Sequence, residues 1–436
     1  MLKERQNKIN RRNFFKSAGA AGLAPALAGV TKGLASAEAI AGPNESNAGQ
    51  EQQKANFPQV PKRKLGKTGV EVPCLALGTN RLIDNQILLR QAFQRGVSYW
   101  DTGNSYTGGN AELTIGKFLS KNPELRKKLF IVTKASGAGK KPTPKATVAA
   151  MEQCLQTSLK RMNTNYIDLY YGVHGLEEPA QLTNELEQWA KDAKKRELIR
   201  FFGFSTHKNI AQNLTAATKL DWIDAIMTSY NFRLMQDPEI QAAIGACHKA
   251  GMGIIAMKTI ALSRQERRQI EAGQKIETEE DKKLLRHFLE RGLTVEKAKI
   301  KFVLEDKRIS SACVGMSNIA NLRTNVEAAL DRTELTQADR EVLKEYAEAT
   351  GSGYCAGCAY ICESALPNVP YVSDIMRYLM YYNSYSEKEM ARELFAEIPR
   401  TVRNKLLSTD YSLAEARCPQ HLPIGELIAE AVSKLA

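Results

Sequence analysis

From Lys62 to about residue 345 the chain alternates short apolar runs with segments of helical spacing, eight times over. The runs are CLAL (74–77), VSYWD (97–101), LFIVTK (129–134), YIDLYYGV (166–173), FFGFS (201–205), AIMTSY (225–230), GIIAMK (253–258) and SACVGM (311–316). Between them, ATVAAMEQCLQTSLKRM (146–162) sets its apolar residues at helical spacing, and PEIQAAIGACHKAG (238–251) ends on the helix-stopping Gly251. Eight strand–helix units in sequence predict an α/β fold, a closed (β/α)8 TIM barrel over 61–345, rather than an open doubly wound sheet. RKLGKTGVEVP (63–73) reads as a β-hairpin that caps the bottom of that barrel. The longest insert, roughly 260–295, is charged and helical and follows the seventh strand, at the active-site rim. Two readings suit it, a substrate-covering loop and a solvated helical insertion.

The two ends of the chain depart from this pattern. Residues 1–41 read as a targeting segment: Lys3, Arg5, Lys8, Arg11 and Arg12 make a basic start, SAGAAGLAPALAGV is mildly apolar, and ASA (35–37) and AIA (39–41) are small-residue cleavage signals. The apolar stretch is too short to span a bilayer, so no stable membrane span is expected. NRRNFFK (10–16) resembles a twin-arginine export signal, which implies the twin-arginine machinery as a partner and a periplasmic or otherwise exported location. That route carries folded proteins, which suits a cofactor inserted before export. Residues 42–60 are polar and turn-rich and read as a linker. The formal net charge is +13. Residues 1–37 hold seven Lys/Arg against one Glu, so +6 of it lies there and +7 remains. The remainder has no dense basic run with interleaved aromatics, so the charge is not a nucleic-acid footprint.

Four residues fall at or just after the carboxyl ends of predicted strands: Asp101, Tyr106, Lys134 and His174. That rim is where a (β/α)8 barrel does its chemistry. A free tyrosine, with a pKa of about 10, is a weak acid unless its phenolate is stabilised. Lys134 supplies a positive charge for that, Asp101 holds the lysine, and His174 can donate a hydrogen bond to a substrate carbonyl. Together they suit protonation of an oxygen that turns negative as hydride reaches its carbon.

The matching strings LALGT (75–79), DTGNSYTGGNAE (101–112), TK (133–134), YIDLYYGVH (166–174), FGFSTH (202–207), SYN (229–231) and MK (257–258) resemble the aldo-keto reductase family across residues 62–345. The resemblance implies that Tyr106 is the proton donor, that Lys134 and Asp101 tune it, that His174 orients the carbonyl, and that a nicotinamide cofactor supplies hydride. It implies a small-molecule carbonyl or alcohol substrate and cofactor contacts at Gly78, Thr79, Asp101, Ser205, Met257, Lys258, Gly315, Ser317, Asn321, Arg323 and Asn325. Gly315 and Met316 precede a helix whose amino end suits a phosphate. Met257 stands where the family often has an aromatic that stacks on nicotinamide. Asn321 stands where the family often has a basic residue, so NADP is placed ahead of NAD without a dedicated 2′-phosphate site.

Beyond about Ser352 the character changes. YCAGCAYIC (354–362) holds Cys355, Cys358 and Cys362, and RCPQHLPI (417–424) adds Cys418 before a proline. This region, 346–436, resembles a bacterial two-cluster ferredoxin module with one half lost: Ala365 stands near the place of one Cys-Pro and STDYSLAEA (408–416) lacks a second triplet. The four thiols are enough for one [4Fe-4S] cluster, in a small α-helical, ferredoxin-like C-terminal extension. Three residues separate Cys358 from Cys362 where the ferredoxin pattern has two. A zinc site on the same four cysteines and a disulfide within the cluster of three are the alternatives. Cys74, Cys154, Cys247 and Cys313 sit singly in apolar patterns and read as small buried hydrophobes. The stretch VSDIMRYLMYYNSYSEKEMARELF (372–395) carries a Met/Tyr/Leu stripe expected to pack around the cysteines or against the barrel. Taken together, the sequence reads as an exported oxidoreductase carrying both cofactors, with a redox partner as a further expectation. The competing class is a non-catalytic redox or binding subunit that keeps the barrel as a scaffold.

Overall fold

The computed structural model describes residues 57–135, 148–261, 278–351, 354–384 and 388–436. An antiparallel hairpin opens it, β1 (Lys62–Lys64) and β2 (Glu71–Pro73). Eight parallel strands then close into a barrel: β3 (Leu75–Gly78), β4 (Tyr99–Asp101), β5 (Phe130–Lys134), β6 (Ile167–His174), β7 (Ile199–Thr206), β8 (Ala225–Ser229), β9 (Gly253–Met257) and β10 (Ser311–Gly315). Each of the eight apolar runs of the sequence is one of these strands. Strand order follows the chain, and β10 closes the ring by pairing with both β3 and β9.

The outer layer is α1 (Gln86–Gln94), α2 (Asn110–Lys121), α3 (Val148–Met162), α4 (Asn184–Lys195), α5 (Ile210–Ala217), α6 (Pro238–Lys249), α7 (Glu279–Glu290), α8 (Val295–Leu304), α9 (Ile319–Leu330) and α10 (Gln337–Ala349). Local chemistry sets their ends. In α4 the Thr183 side chain accepts the Leu186 N–H, acids occupy the first turn, lysines the last, and Leu186, Trp189, Ala190 and Ala193 form one buried stripe. In α6 Asp237 caps the Glu239 and Ile240 amides, Pro238 takes the first helical position, and Gly251 follows the helix at φ +73°.

Two apolar regions follow from the closed sheet. The larger lies between strands and helices, with Trp100, Phe118, Trp189 and Phe202 among its buried rings. The second fills the barrel and includes Tyr99, Val132, Leu169, Tyr171, Met227 and Ile255. Leu65 and Val72 of the hairpin join this interior cluster, and Lys67 N–H donates to Gly251 O, so the hairpin plugs the bottom as expected. Residues 57–60, read as the end of a linker, already belong to the fold: Val60 is buried and its N–H donates to Arg95 O, while the Arg95 guanidinium lies 3.9 Å from the Phe57 ring centroid.

Residues 354–436 are helical, with α11 (Ala359–Cys362), α12 (Val372–Ser384), α13 (Lys388–Ala396), α14 (Arg400–Arg403), α15 (Ser412–Arg417) and α16 (Ile424–Leu435). They have an apolar cluster of their own, with Ile375, Leu379, Phe395, Leu406, Ile424, Ile428 and Leu435. The insert after β9 lies outside the described residues over 262–277. Its remaining helix, α7, buries Leu284 and Phe288 and is tied to α10 by His287–Asp339 and Lys283–Glu345. The described part, α7, is therefore a helical insertion on the outer layer, and residues of the C-terminal helices line the cavity at the mouth of the barrel.

Candidate active site

The carboxyl ends of β4, β5 and β6 bring Asp101, Lys134 and His174 to one rim, and the turn after β4 adds Tyr106. Lys134 is buried, with its Nζ 2.5 Å from Asp101 Oδ1 and 2.7 Å from the carbonyl of Thr102. That Nζ lies 5.1 Å from the Tyr106 ring centroid, and the Tyr106 and His174 rings are 6.4 Å apart, edge to face. Burial pushes the Asp101 carboxyl up from its ordinary value, and the Lys134 ammonium opposes that rise. A register shift between Tyr171 and Val173 in the β6–β7 pairing turns the end of β6, where His174 sits. His174 Nδ1 is 2.8 Å from Ser205 Oγ, which already accepts the Gly175 N–H. In the tautomer in which the Ser205 hydroxyl donates to Nδ1, Nε2–H is free to donate. Burial, then the charges of Lys134, Arg377 and Lys258, hold His174 down to about 3. It is neutral near pH 7.

The Tyr106 turn is held from outside the barrel. Thr107, Gly108 and Gly109 run through positive φ values of 49°, 64° and 92°. A Cβ at Gly109 would meet Arg161 Cζ at 2.6 Å. Arg161 donates to Asn104 O at 2.6 Å and to the buried Glu112 at 3.2 Å, and Thr133 donates to the same carboxylate. One guanidinium thus fastens the loop that carries Tyr106.

A cavity of about 530 Å³ opens above these groups. Of the residues read as cofactor contacts, Gly78, Thr79, Asp101, Met257, Lys258, Gly315, Ser317 and Asn321 line it. The other three do not. Ser205 is buried, with its Oγ 2.8 Å from His174 Nδ1. Asn325 is buried on the inner face of α9, and Arg323, two residues away and so on a different face of the helix, is exposed. Sequence reasoning also passed over several groups that the fold brings here. His207 lines the cavity with its Nδ1 3.1 Å from Ser229 Oγ, and burial keeps it well below the ordinary histidine range. Tyr354 Oη accepts from Asn231. Arg377 enters from α12, and its one signal in the sequence was a lone arginine inside an apolar Met/Tyr stripe.

Cys355, Cys358, Cys362 and Cys418, the first and last 63 residues apart in the chain, line a second cavity whose other walls include Ile361, Val372, Leu422 and Ile424. All four are free thiols. Burial, with the neighbouring thiols adding to it, raises Cys355 to about 11 and Cys358 to about 12. Among the described residues no group of three or more His, Cys, Asp or Glu side chains is placed to hold a metal ion. Cys355 lines this cavity and the larger one alike. The cysteine loop is docked on the barrel: Asn209 N–H donates to Gly357 O, and buried Lys208 lies 3.0 Å from Asp374, 3.6 Å from Glu363 and 3.9 Å from Glu177. Of the other four cysteines, Cys74, Cys154 and Cys247 are buried, whereas half-buried Cys313 lines the active-site cavity beside Asp101.

The Aldo/keto reductase family model matches residues 76–348, more than half of the chain. The chain belongs to the aldo/keto reductase family. It is 25% identical over 327 residues to the L-glyceraldehyde 3-phosphate reductase of Escherichia coli (strain K12), covering 66% of this chain and 93% of that one. It is 26% identical over 204 residues to an aldo-keto reductase of Alternaria alternata, covering 41% of this chain and 55% of the relative. An aldo-keto reductase from Bacillus halodurans in its holo form superposes with a TM-score of 0.52 at 22% identity, covering 66% of this chain and 96% of that one. The thermostable aldo-keto reductase Tm1743 gives 0.51 at 23%, covering 66% and 100%. These two likenesses establish the barrel fold. The family match ends before Cys355, so the cysteine module of this aldo/keto reductase lies outside it. Residues 8–28 match the twin-arginine translocation signal, so the chain is exported by that pathway. Among the described residues no helix is long and apolar enough to cross a membrane.

Proposed function

We propose that this exported oxidoreductase reduces the carbonyl of an aldehyde or ketone, or oxidises the matching alcohol, with Tyr106 as general acid and base, and that it carries one [4Fe-4S] cluster. The observation that carries the reductase reading is the placement of the Lys134 ammonium, 2.5 Å from Asp101 and 5.1 Å from the Tyr106 ring, beside a neutral His174 on one cavity. The residues that would hold a nicotinamide cofactor are Gly78, Thr79, Lys258, Gly315, Ser317 and Asn321, which line the cavity. When bound, NADP(H), with NAD(H) as the alternative, supplies or accepts hydride. In the reducing direction the carbonyl π electrons move to oxygen, and that oxygen takes the proton of Tyr106 Oη. Lys134 stabilises the phenolate left behind, and Asp101 holds Lys134 in place. The Nε2–H of His174 orients the carbonyl and strengthens as its oxygen turns negative.

The support for the cluster is that four cysteines from two distant stretches of the chain line one cavity, the number that one [4Fe-4S] cluster needs. In a [4Fe-4S] cluster each thiolate binds a different iron, which calls for four thiols spread around a space. Thiols that burial keeps protonated also become thiolates only beside a cationic metal core. Cys355, Cys358, Cys362 and Cys418 are the ligands, in a ferredoxin-like module. When bound, the cluster supplies one-electron redox capacity or a covalent staple for the C-terminal helices.

The test is metal and nucleotide analysis of anaerobically purified full-length protein, with a carbonyl substrate screen. Four irons per chain, lost in Cys418→Ala, and a Tyr106→Phe variant slowed by about 10²–10⁴-fold are expected. Full turnover by Tyr106→Phe would remove the reductase mechanism. Iron-free protein with intact thiols would remove the cluster.

A further inference from the structure

The roof of the active-site cavity is α12 of the C-terminal module. It contributes Ser373, Met376, Leu379, Met380 and Tyr381, which are neutral, and one charged residue, Arg377. The Arg377 Nη1 stands 4.0 Å from where a Cβ on Gly175 would be, and Gly175 is the neighbour of His174. Its charge acts on both cavity histidines.

Among the described residues Arg377 makes no hydrogen bond and no ion pair. The carboxylates of Asp374 and Glu177 lie near enough to favour its cationic form. Asp374, however, is bonded to Lys208 at 3.0 Å, and Glu177 lies 3.9 Å from the same ammonium. The five N–H donors of a guanidinium in a half-buried site are costly to leave without acceptors, and their planar fork matches a carboxylate or a phosphate. The charges on the cavity wall favour the same partner: Arg81, Lys258 and Arg377 face Asp101 alone. The cavity wall also carries apolar side chains from the C-terminal helices, Met376, Met380, Met390 and Leu427.

We propose that Arg377 anchors an oxyanion group, a carboxylate or a phosphate, on the substrate whose carbonyl is reduced at Tyr106. The C-terminal module then selects the substrate as well as covering it. The substrate class is an oxo acid or oxo phosphate with an apolar body between its two polar ends. This assignment rests on the reductase reading of the site.

The experiment measures kcat/KM of cofactor-loaded full-length enzyme on two matched pairs, 4-carboxybenzaldehyde against 4-methylbenzaldehyde and glyceraldehyde 3-phosphate against glyceraldehyde. The wild type should favour the charged member of at least one pair by tenfold or more, and the pair that does so tells carboxylate from phosphate. Arg377→Met should remove at least tenfold of that preference, through KM, while Arg377→Lys keeps part of it. A wild type without preference, or a preference that survives in Arg377→Met, overturns the assignment. Melting curves and iron content of the variants guard against misfolding. If no aldehyde is turned over, the reductase reading has failed, and calorimetry with 4-(hydroxymethyl)benzoate and glycerol 3-phosphate decides the anchor by itself. Wild-type binding lost in Arg377→Met supports it, and equal binding or none overturns it.

Discussion

The side chains of the site work through charge held out of water. His174 shows this most directly. Its imidazole, held down to about 3 by burial and three cations, stays neutral from pH 5 to pH 8 and so remains a donor over that range. The kcat/KM profile should therefore lack a step near pH 6.5 that disappears in His174→Asn, and such a step would contradict the assignment. The same depression bears on stability. Below its unfolded pKa of about 6.5, and down to its folded value of about 3, the unfolded chain binds a proton that folded His174 refuses. Stability contributed by His174 is thus full above that window and falls as pH drops through it. Lys134→Met makes a different point. It leaves Asp101 buried without its cation, and breaking a buried pair costs roughly 3–5 kcal/mol. A urea titration should show that loss, together with a large fall in kcat.

At the scale of elements, the turn between β4 and α2 sets where Tyr106 stands. Three successive positive φ values need glycine at two of the three positions, and Arg161 locks the outcome from α3. Gly109→Ala adds a Cβ 2.6 Å from the Arg161 guanidinium carbon at φ +92°. The backbone term alone is roughly 1–2 kcal/mol. A displacement of Tyr106 by an ångström costs about 10²-fold in rate. Steady-state kinetics on Gly109→Ala should show kcat falling far more than KM rises, and an unchanged kcat would show that the turn is not what positions the tyrosine.

For the molecule as a whole, the C-terminal helices and the barrel share one cavity, and a small polar hinge joins them. Lys208, on the loop after β7, sits among Asp374, Glu363 and Glu177. Removing its charge leaves buried carboxylates facing one another. Lys208→Met is expected to cost roughly 3–5 kcal/mol, as broken buried ion pairs do. Hydrogen exchange should locate the loss in α12 and the cysteine loop, with the barrel strands still protected. Uniform destabilisation across the barrel would place the role of Lys208 elsewhere.

The sequence by itself determined the barrel, the four rim residues and the cysteine set. Each is written largely in short-range terms: apolar runs of strand length, residues a short step past a strand end, three thiols spaced three and four residues apart. Parallel pairing in chain order then leaves one rim on which Asp101, Lys134 and His174 meet. What lies over that rim is not a local property. The stripe at 372–395 was expected to pack around the cysteines or against the barrel, and only the packing of α12 on the β6 and β7 loops shows that it reaches the site. For the same reason the hydrogen bond between Ser205 and His174 was not foreseen, and Arg377 was passed over. Whether a polar side chain meets solvent, a neighbour or a substrate depends on partners 30 to 200 residues away, and only the tertiary structure brings those partners together.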